Sequence, residues 1–187
     1  MNKKILYSIL AVAIILVIYG FSTYNKLVSS NESIDGQWAQ VETQYQRRLD
    51  LIPNLVSSVK GILKQEDKVF GEIADARTRY AGASNTNAKA KAATDIEGAL
   101  GRLLVIVENY PQLQSSQNVQ TLMAQLEGTE NRISVERGRF NDMVKAYNLV
   151  VKRFPSSVIA GMSGFGEKAY FEAKSGAENS PSVDLNY

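Results

Sequence analysis

The chain contains no cysteine and no histidine. Without thiols there are no disulfides, no thiolate nucleophile and no cysteine-linked lipid anchor; without imidazoles there is no base titrating near neutrality and no usual zinc ligand set. The glycine patterns that cradle phosphates or seat a nucleophilic serine are missing as well: no G-x-x-x-x-G-K-[ST], G-x-G-x-x-G or G-x-S-x-G occurs. An all-oxygen site for magnesium or calcium needs a loop dense in ligands, and no such loop is present. Helical bundles that hold paired metals use Glu-x-x-His motifs, which this chain cannot complete. The expectation is therefore a protein that is not an enzyme, with no catalytic residue, no cofactor and no metal.

What is present is a chain of 187 residues, 44% hydrophobic and 21% charged, the balance of a globular protein. Residues Ile5 to Phe21 read ILYSILAVAIILVIYGF, without a charge. At 1.5 Å per residue this run is roughly 25 Å long, and roughly 30 Å if Ser22 to Tyr24 are added, which matches a bilayer core. Tyr19, Phe21 and Tyr24 supply interfacial aromatics. The alternative is a cleaved signal peptide; against it stand the length of the run and the lack of an A-x-A-like cut site. Lys3 and Lys4 precede the run, and of the following residues only Lys26 is close, so the N-terminus is expected in the cytoplasm and the rest outside.

Beyond the run, helical periodicity dominates. Apolar residues recur at 3–4 spacing through Tyr24, Leu27, Ile34, Trp38, Val41, Tyr45, Ile52, Leu55, Val59 and Ile62, with Asn31 and Arg48 filling two positions of the stripe. A second stripe holds Val69, Ile73, Ala76 and Tyr80 behind Glu66 and Asp67, residues suited to a helix N-terminus. The small polar cluster from Gly82 to Asn87 reads as a turn. A third stripe runs from Ala92 through Ile96, Leu100, Leu103 and Leu104 to Val107 and stops at Tyr110-Pro111; a fourth runs from Val119 to Val151 and stops at Phe154-Pro155. The expected fold is all-α: an N-terminal single transmembrane helix followed by an antiparallel four-helix bundle with long first and last helices. The boundaries expected are a membrane anchor over 1–21, a juxtamembrane helical stalk over 22–31, the bundle over 32–154, and a C-terminal tail over 155–187 with a short apolar segment. In that topology the tail from Pro155 and the turn at Gly82 to Asn87 lie at the membrane-near end.

Several short motifs are more specific than periodicity. Arg47-Arg48-Leu49-Asp50-Leu51-Ile52-Pro53-Asn54-Leu55-Val56, continued by Val59-Lys60-Gly61, closely resembles the signature of the LemA family of bacterial membrane-anchored proteins. Glu108-Asn109-Tyr110-Pro111, Glu130-Asn131-Arg132-Ile133 with Arg137, Tyr147-Asn148 and Tyr170-Phe171-Glu172 extend the resemblance over nearly the whole chain. Arg139-Phe140-Asn141 departs from it, with Phe where Tyr is expected, which keeps the ring and loses a hydroxyl. The resemblance implies a helical bundle behind one membrane span and no settled biochemical activity; some relatives are associated with specialised internal membranes of magnetic bacteria.

Four groups of residues stand out as structural or interaction candidates. Pro53 lies inside the first helix, where it removes one backbone hydrogen bond and costs about 3 kcal/mol in an ordinary helix. A kink capped by Asn54 or Asp50 accounts for it, and a ligand or partner contact at the freed carbonyl is the functional alternative. Arg48, on the apolar stripe, has to be paired, and antiparallel pairing of the first and last helices brings it near Glu130 or Glu136; Arg137 belongs to the same polar i, i+3, i+4 pattern. Asn31 is the type of residue that fixes register in coiled coils, so residues 22–31 can form a stalk whose apolar positions lack a partner in their own chain. Ile159, Met162 and Phe165, with Val158, form an apolar cluster that either folds back onto the bundle or meets lipid headgroups or a second subunit.

The reading that follows is a membrane-anchored scaffold or interaction module, self-associating, with a role in membrane organisation or envelope integrity. Its alternatives are an accessory or sensor subunit of a membrane protease or transport system, and a ligand-binding module using polar groups near Pro53. Expected partners are a second copy of the chain, the lipid bilayer through residues 5–21, and, in the accessory reading, a foreign membrane protein. Nucleic acid is not among them. Of 21 basic residues Lys3 and Lys4 precede the span, leaving 19 against 19 acidic ones, so the net charge of +2 is an orientation signal and not a basic surface.

Overall fold

A computed structural model describes residues 3–63 and 66–171. Among them are six helices and no strand: α1 (Lys3–Lys60), α2 (Asp67–Gly82), α3 (Thr86–Glu108), the single turn α4 (Pro111–Gln114), α5 (Gln117–Lys152) and α6 (Ser156–Met162). The expectation of an all-α chain is met. Glu172 of the Tyr170-Phe171-Glu172 motif and the remainder of the tail to 187 lie outside the described residues. The fold divides into two compact units, one built from α1 up to Glu42 with Ser134–Tyr170, the other from Thr43–Ile133.

In the first unit, α1 opens with an apolar window of mean hydropathy 2.5, none of it buried. Leu16 and Phe21 stay 64% and 69% exposed, so these side chains find no cover within their own chain, as lipid-facing residues require. Ser8 donates to the carbonyl of Lys4 at 3.0 Å, so its hydroxyl is satisfied within the helix. The helix is long and apolar enough here to cross a bilayer, and no Pro interrupts its passage into the amphipathic stripe. From Thr23 onward the stripe is covered: Leu27 and Val41 are fully buried and Ile34 almost so. The apolar positions of residues 22–31 therefore do have a partner in their own chain, contrary to the unpartnered stalk expected from periodicity.

Their cover comes from α5 and α6. Gln37 on α1 donates to the Glu136 carboxylate at 2.7 Å, and Lys26 shares a cleft with Val150 and Arg153, so ascending positions of α1 meet descending positions of α5. That is antiparallel packing, with Trp38 meeting Phe140 edge-on at 6.0 Å. The ring retained at Phe140 is the part this contact uses. α5 ends where Phe154-Pro155, a cis bond, forbids its continuation. Buried Ser156 donates to the carbonyls of Val150 and Arg153, and the Ser157 N–H also reaches the Arg153 carbonyl at 2.7 Å, so the connection from α5 to α6 is tied by both.

The glycine-rich residues from Gly161 to Gly166 cap α6. The Phe165 N–H reaches the Ala160 carbonyl at 3.0 Å and the Gly164 N–H that of Gly161, with Gly164 at φ +76°, a conformation costly for any residue with a Cβ. The chain then runs extended to Phe171.

In the second unit, Tyr45, Ile52, Leu55 and Val59 of α1 are buried as their spacing requires. Ile62 is 45% exposed and Leu63 takes its place in the core, because α1 ends at Lys60 and the helical spacing no longer applies. α2 and α3 form an antiparallel hairpin: Glu72 pairs with Arg102 at 2.6 Å and Arg79 with Asp95 at 3.2 Å, one index rising as the other falls. Val69, Ile73, Ala76 and Tyr80 are all buried, and Tyr80 lies against Tyr45 of α1 with ring centres 5.8 Å apart. Asn85 caps α3, accepting from the Ala88 N–H at 2.8 Å, which ends the turn at residues 83–85. On α3 the buried face is rich in alanine (Ala92, Ala93, Ala99), allowing close approach of its neighbours.

Candidate functional site

The second unit holds a cleft of about 820 Å³ whose floor is apolar and whose walls are charged. Leu100 and Leu104 of α3 and Met123 and Leu126 of α5 supply the floor; Arg48, Glu97, Glu108, Glu127 and Glu130 supply the charges. Arg48 is 6% exposed. Its Nη2 pairs with the Glu130 carboxylate on α5, and its Nη1 stands 3.6 Å from a Glu97 oxygen on α3, so one guanidinium joins three helices. Nε and Nη1 make no hydrogen bond. A buried donor without an acceptor costs about 1–3 kcal/mol; for Nη1 the Glu97 charge offsets part of this, whereas Nε has no acceptor among the described residues.

The antiparallel argument placed Arg48 beside Glu130 or Glu136, and the structure shows the first. Glu136, in the other unit, accepts instead from Gln37 and pairs with Arg139 at 2.8 Å. Glu97 was not foreseen: its position on an alanine-rich helix gives no signal that α3, too, reaches Arg48. Arg137 is half-buried on α5 of the first unit. Pro53 and Asn54 are exposed, and α1 continues past them for seven residues beyond Pro53 to Lys60. Pro53 leaves the Leu49 carbonyl without its i+4 donor inside the helix. Asp50 accepts from Gln46 at 2.9 Å, and the Asn54 carbonyl accepts from Ser58 at 2.8 Å; neither side chain caps the proline break.

In the first unit the interaction candidates cluster around the end of the apolar segment. Ile159 of α6 lies beside Gly20, where an added Cβ would meet its Cδ1 at 3.8 Å, and Phe165 meets Tyr24 edge-on at 5.9 Å. Both fold back onto the chain. Met162 does not, being 83% exposed. Asn31 donates to Asp35 at 3.2 Å within α1.

A residue quoted only for its motif proves to have a geometric role. Buried Asn148 donates to the Lys168 carbonyl at 2.8 Å and accepts from the Lys168 N–H at 2.9 Å, so one amide stands in for a neighbouring strand and fixes the segment after α6. The Lys168 ammonium reaches Asp35 at 3.2 Å. Tyr147, beside Asn148, is buried, and burial first and Asp35 second push its phenol above the ordinary 10.0. None of these groups forms a nucleophile and base pair, and among the described residues no cluster of three or more carboxylates could hold a metal.

Comparison with known proteins bears on both units. The description "LemA family" fits residues 37–185. Relatives include "Magnetosome protein MamQ 2" and "Magnetosome protein MamQ 1" of Paramagnetospirillum magneticum, each 27% identical over 90% of this chain and 73% of its own length. "Magnetosome protein MamQ" of Magnetospirillum gryphiswaldense is 28% identical over 81% of this chain and 65% of its own.

Proposed function

The chain belongs to the LemA family, and from that premise we propose that it is a membrane-anchored, self-associating scaffold with a role in membrane organisation. The observation that carries this reading is the continuity of α1. A segment with no cover in its own chain runs without a break into a helix whose next turns are fully packed, so a bilayer and the packed helices are held by one rigid element. The magnetosome proteins among its relatives support a place in membrane organisation. In this reading the helices beyond the anchor complete an antiparallel four-helix bundle, and the N-terminus with Lys3 and Lys4 stays in the cytoplasm while the packed part lies outside.

Self-association draws on apolar side chains left open beyond the anchor. On the first unit Val135, Met143 and Leu149 of α5 are 38–47% exposed, more than a solvated helix face needs. Because the chain has no cysteine, single substitutions report contacts cleanly. Val135→Cys or Met143→Cys, oxidised in native membranes, is expected to give a covalent dimer of the full chain. Monomer at both positions, with oxidation verified on a control, removes self-association through α5 from the reading.

One observation favours a second reading. Arg48, whose buried Nε makes no hydrogen bond and which lines a cleft of about 820 Å³, suits a sensor or accessory subunit in which a small acceptor group enters that cleft. A small-molecule thermal-shift screen on the full-length protein, with Arg48→Met as the control that must lose the shift, separates this from a pure scaffold.

A further inference from the structure

The end of α5 and the whole of α6 lie against the turns of α1 that leave the apolar segment. A cleft of about 550 Å³ opens there, lined by Tyr19 and Lys26 of α1, Leu149 and Arg153 of α5, and Phe154 and Ser156 of the connection to α6. Lys26 and Arg153 are both exposed, and no carboxylate among the described residues lies within ion-pair distance of either. The neighbouring Lys152 is different: Glu167 holds it at 2.7 Å. Two cations thus face one cleft without a counter-ion among the described residues.

Depth identifies what meets them. Lys26 follows Phe21 by five residues, about 7.5 Å along the helix, which is the thickness of a headgroup layer beyond the acyl core. Tyr19, at the cleft's other end, sits at the boundary where aromatic rings collect. On the same side, Phe154, Val158 and Met162 are spaced four apart and are 84%, 51% and 83% exposed, while the opposite face of α6 carries buried Ser156 and Ala160. A seven-residue helix that turns a valine and a methionine outward, beside an exposed phenylalanine just before it, has no reason to do so in water. Its Ile159 packs beside Gly20, still within the apolar segment, so these outward residues lie level with the last turn of the span.

We propose that this cleft binds the phosphate of an anionic lipid headgroup, with Lys26 and Arg153 as its cationic partners and Phe154, Val158 and Met162 entering the acyl boundary of the same leaflet. The site rests on the reading that residues 5–21 span a bilayer. It supplies a second attachment, through the C-terminal end of α5, so that α1 and α5 are both fixed at the membrane surface. Lys3 and Lys4 lie at the other end of the span and face the opposite leaflet.

The test uses the full-length protein in nanodiscs of mixed phosphatidylcholine and phosphatidylglycerol, with retained lipids counted by native mass spectrometry. The wild type is expected to retain phosphatidylglycerol above its share of the nanodisc. The double variant Lys26→Gln, Arg153→Gln should lower that preference by about thirtyfold, the equivalent of about 1 kcal/mol for each interfacial cation. A charge-matched control, Lys60→Gln with Arg132→Gln, should leave it unchanged. No preference in the wild type, or equal losses in both double variants, overturns the site. Displacement of the lipid by millimolar inorganic phosphate overturns the headgroup assignment and leaves an ion site. A disulfide between copies of Met162→Cys in native membranes reassigns the face to a protein contact. Failure of the wild type to insert at all, seen as release by alkaline carbonate, rejects the membrane span itself and is distinct from every other outcome.

Discussion

Arg48 shows how far a single residue can be read. Its place on an apolar stripe demanded a partner, and antiparallel counting from the helix midpoints found Glu130; the contact with Glu97 depends on how α3 packs, which no spacing encodes. Removing one partner of a fully buried ion pair costs about 3–5 kcal/mol. Glu130 is 46% exposed at its side chain, so Arg48→Met should destabilise by less, about 2–4 kcal/mol, and Glu130→Gln by less again. Thermal unfolding followed by circular dichroism checks the order; equal losses contradict the geometry. Tyr147 gives a pH signature. Burial and Asp35 raise its folded pKa above the unfolded value of about 10, so its contribution is complete below pH 10 and is lost as pH rises through the higher folded value. Stability of the wild type should therefore fall above pH 10, and Tyr147→Phe should flatten that fall when the unfolding midpoint is followed against pH.

At the scale of elements, the long helices were legible because their stripes are long. Three or more turns of apolar residues at 3–4 spacing identify α1, α2, α3 and α5, and Pro111 and Pro155 mark two of the breaks. α6 was not legible. Seven residues give too few repeats for a period, and the glycines after it read as a flexible turn until Gly164 is seen at φ +76°. The same capping geometry makes a prediction. Gly164→Val places a β-branched side chain in the left-handed region and should cost about 1–2 kcal/mol. Because Phe165 and the Asn148 pairing of Lys168 follow immediately, the loss should appear locally, as faster protease cleavage between residues 163 and 171 in an otherwise helical protein. Cleavage no faster than wild type means the cap is not what holds this segment. Pro53 belongs to this scale too: placed outward on α1, it leaves the Leu49 carbonyl without its helical donor, and the cap expected from Asn54 or Asp50 is not formed.

For the molecule as a whole, composition established more of the character than of the purpose. The uncharged run and the two lysines before it point to a membrane anchor and its orientation, and the LemA match agrees with the motifs around Arg48 and Pro53. The antiparallel topology placed the tail from Pro155 at the membrane-near end, and Ile159 beside Gly20 agrees with it; which side chains meet there, across more than 130 positions, no local spacing encodes. The central claim is that this chain is a self-associating membrane scaffold. It is tested most directly by the mass of the full-length protein extracted in a mild detergent and measured by light scattering with the detergent contribution subtracted. A mass several times the 20.6 kDa of one chain, with no other protein present, is the predicted result. A single mass of one chain across the accessible concentration range contradicts it.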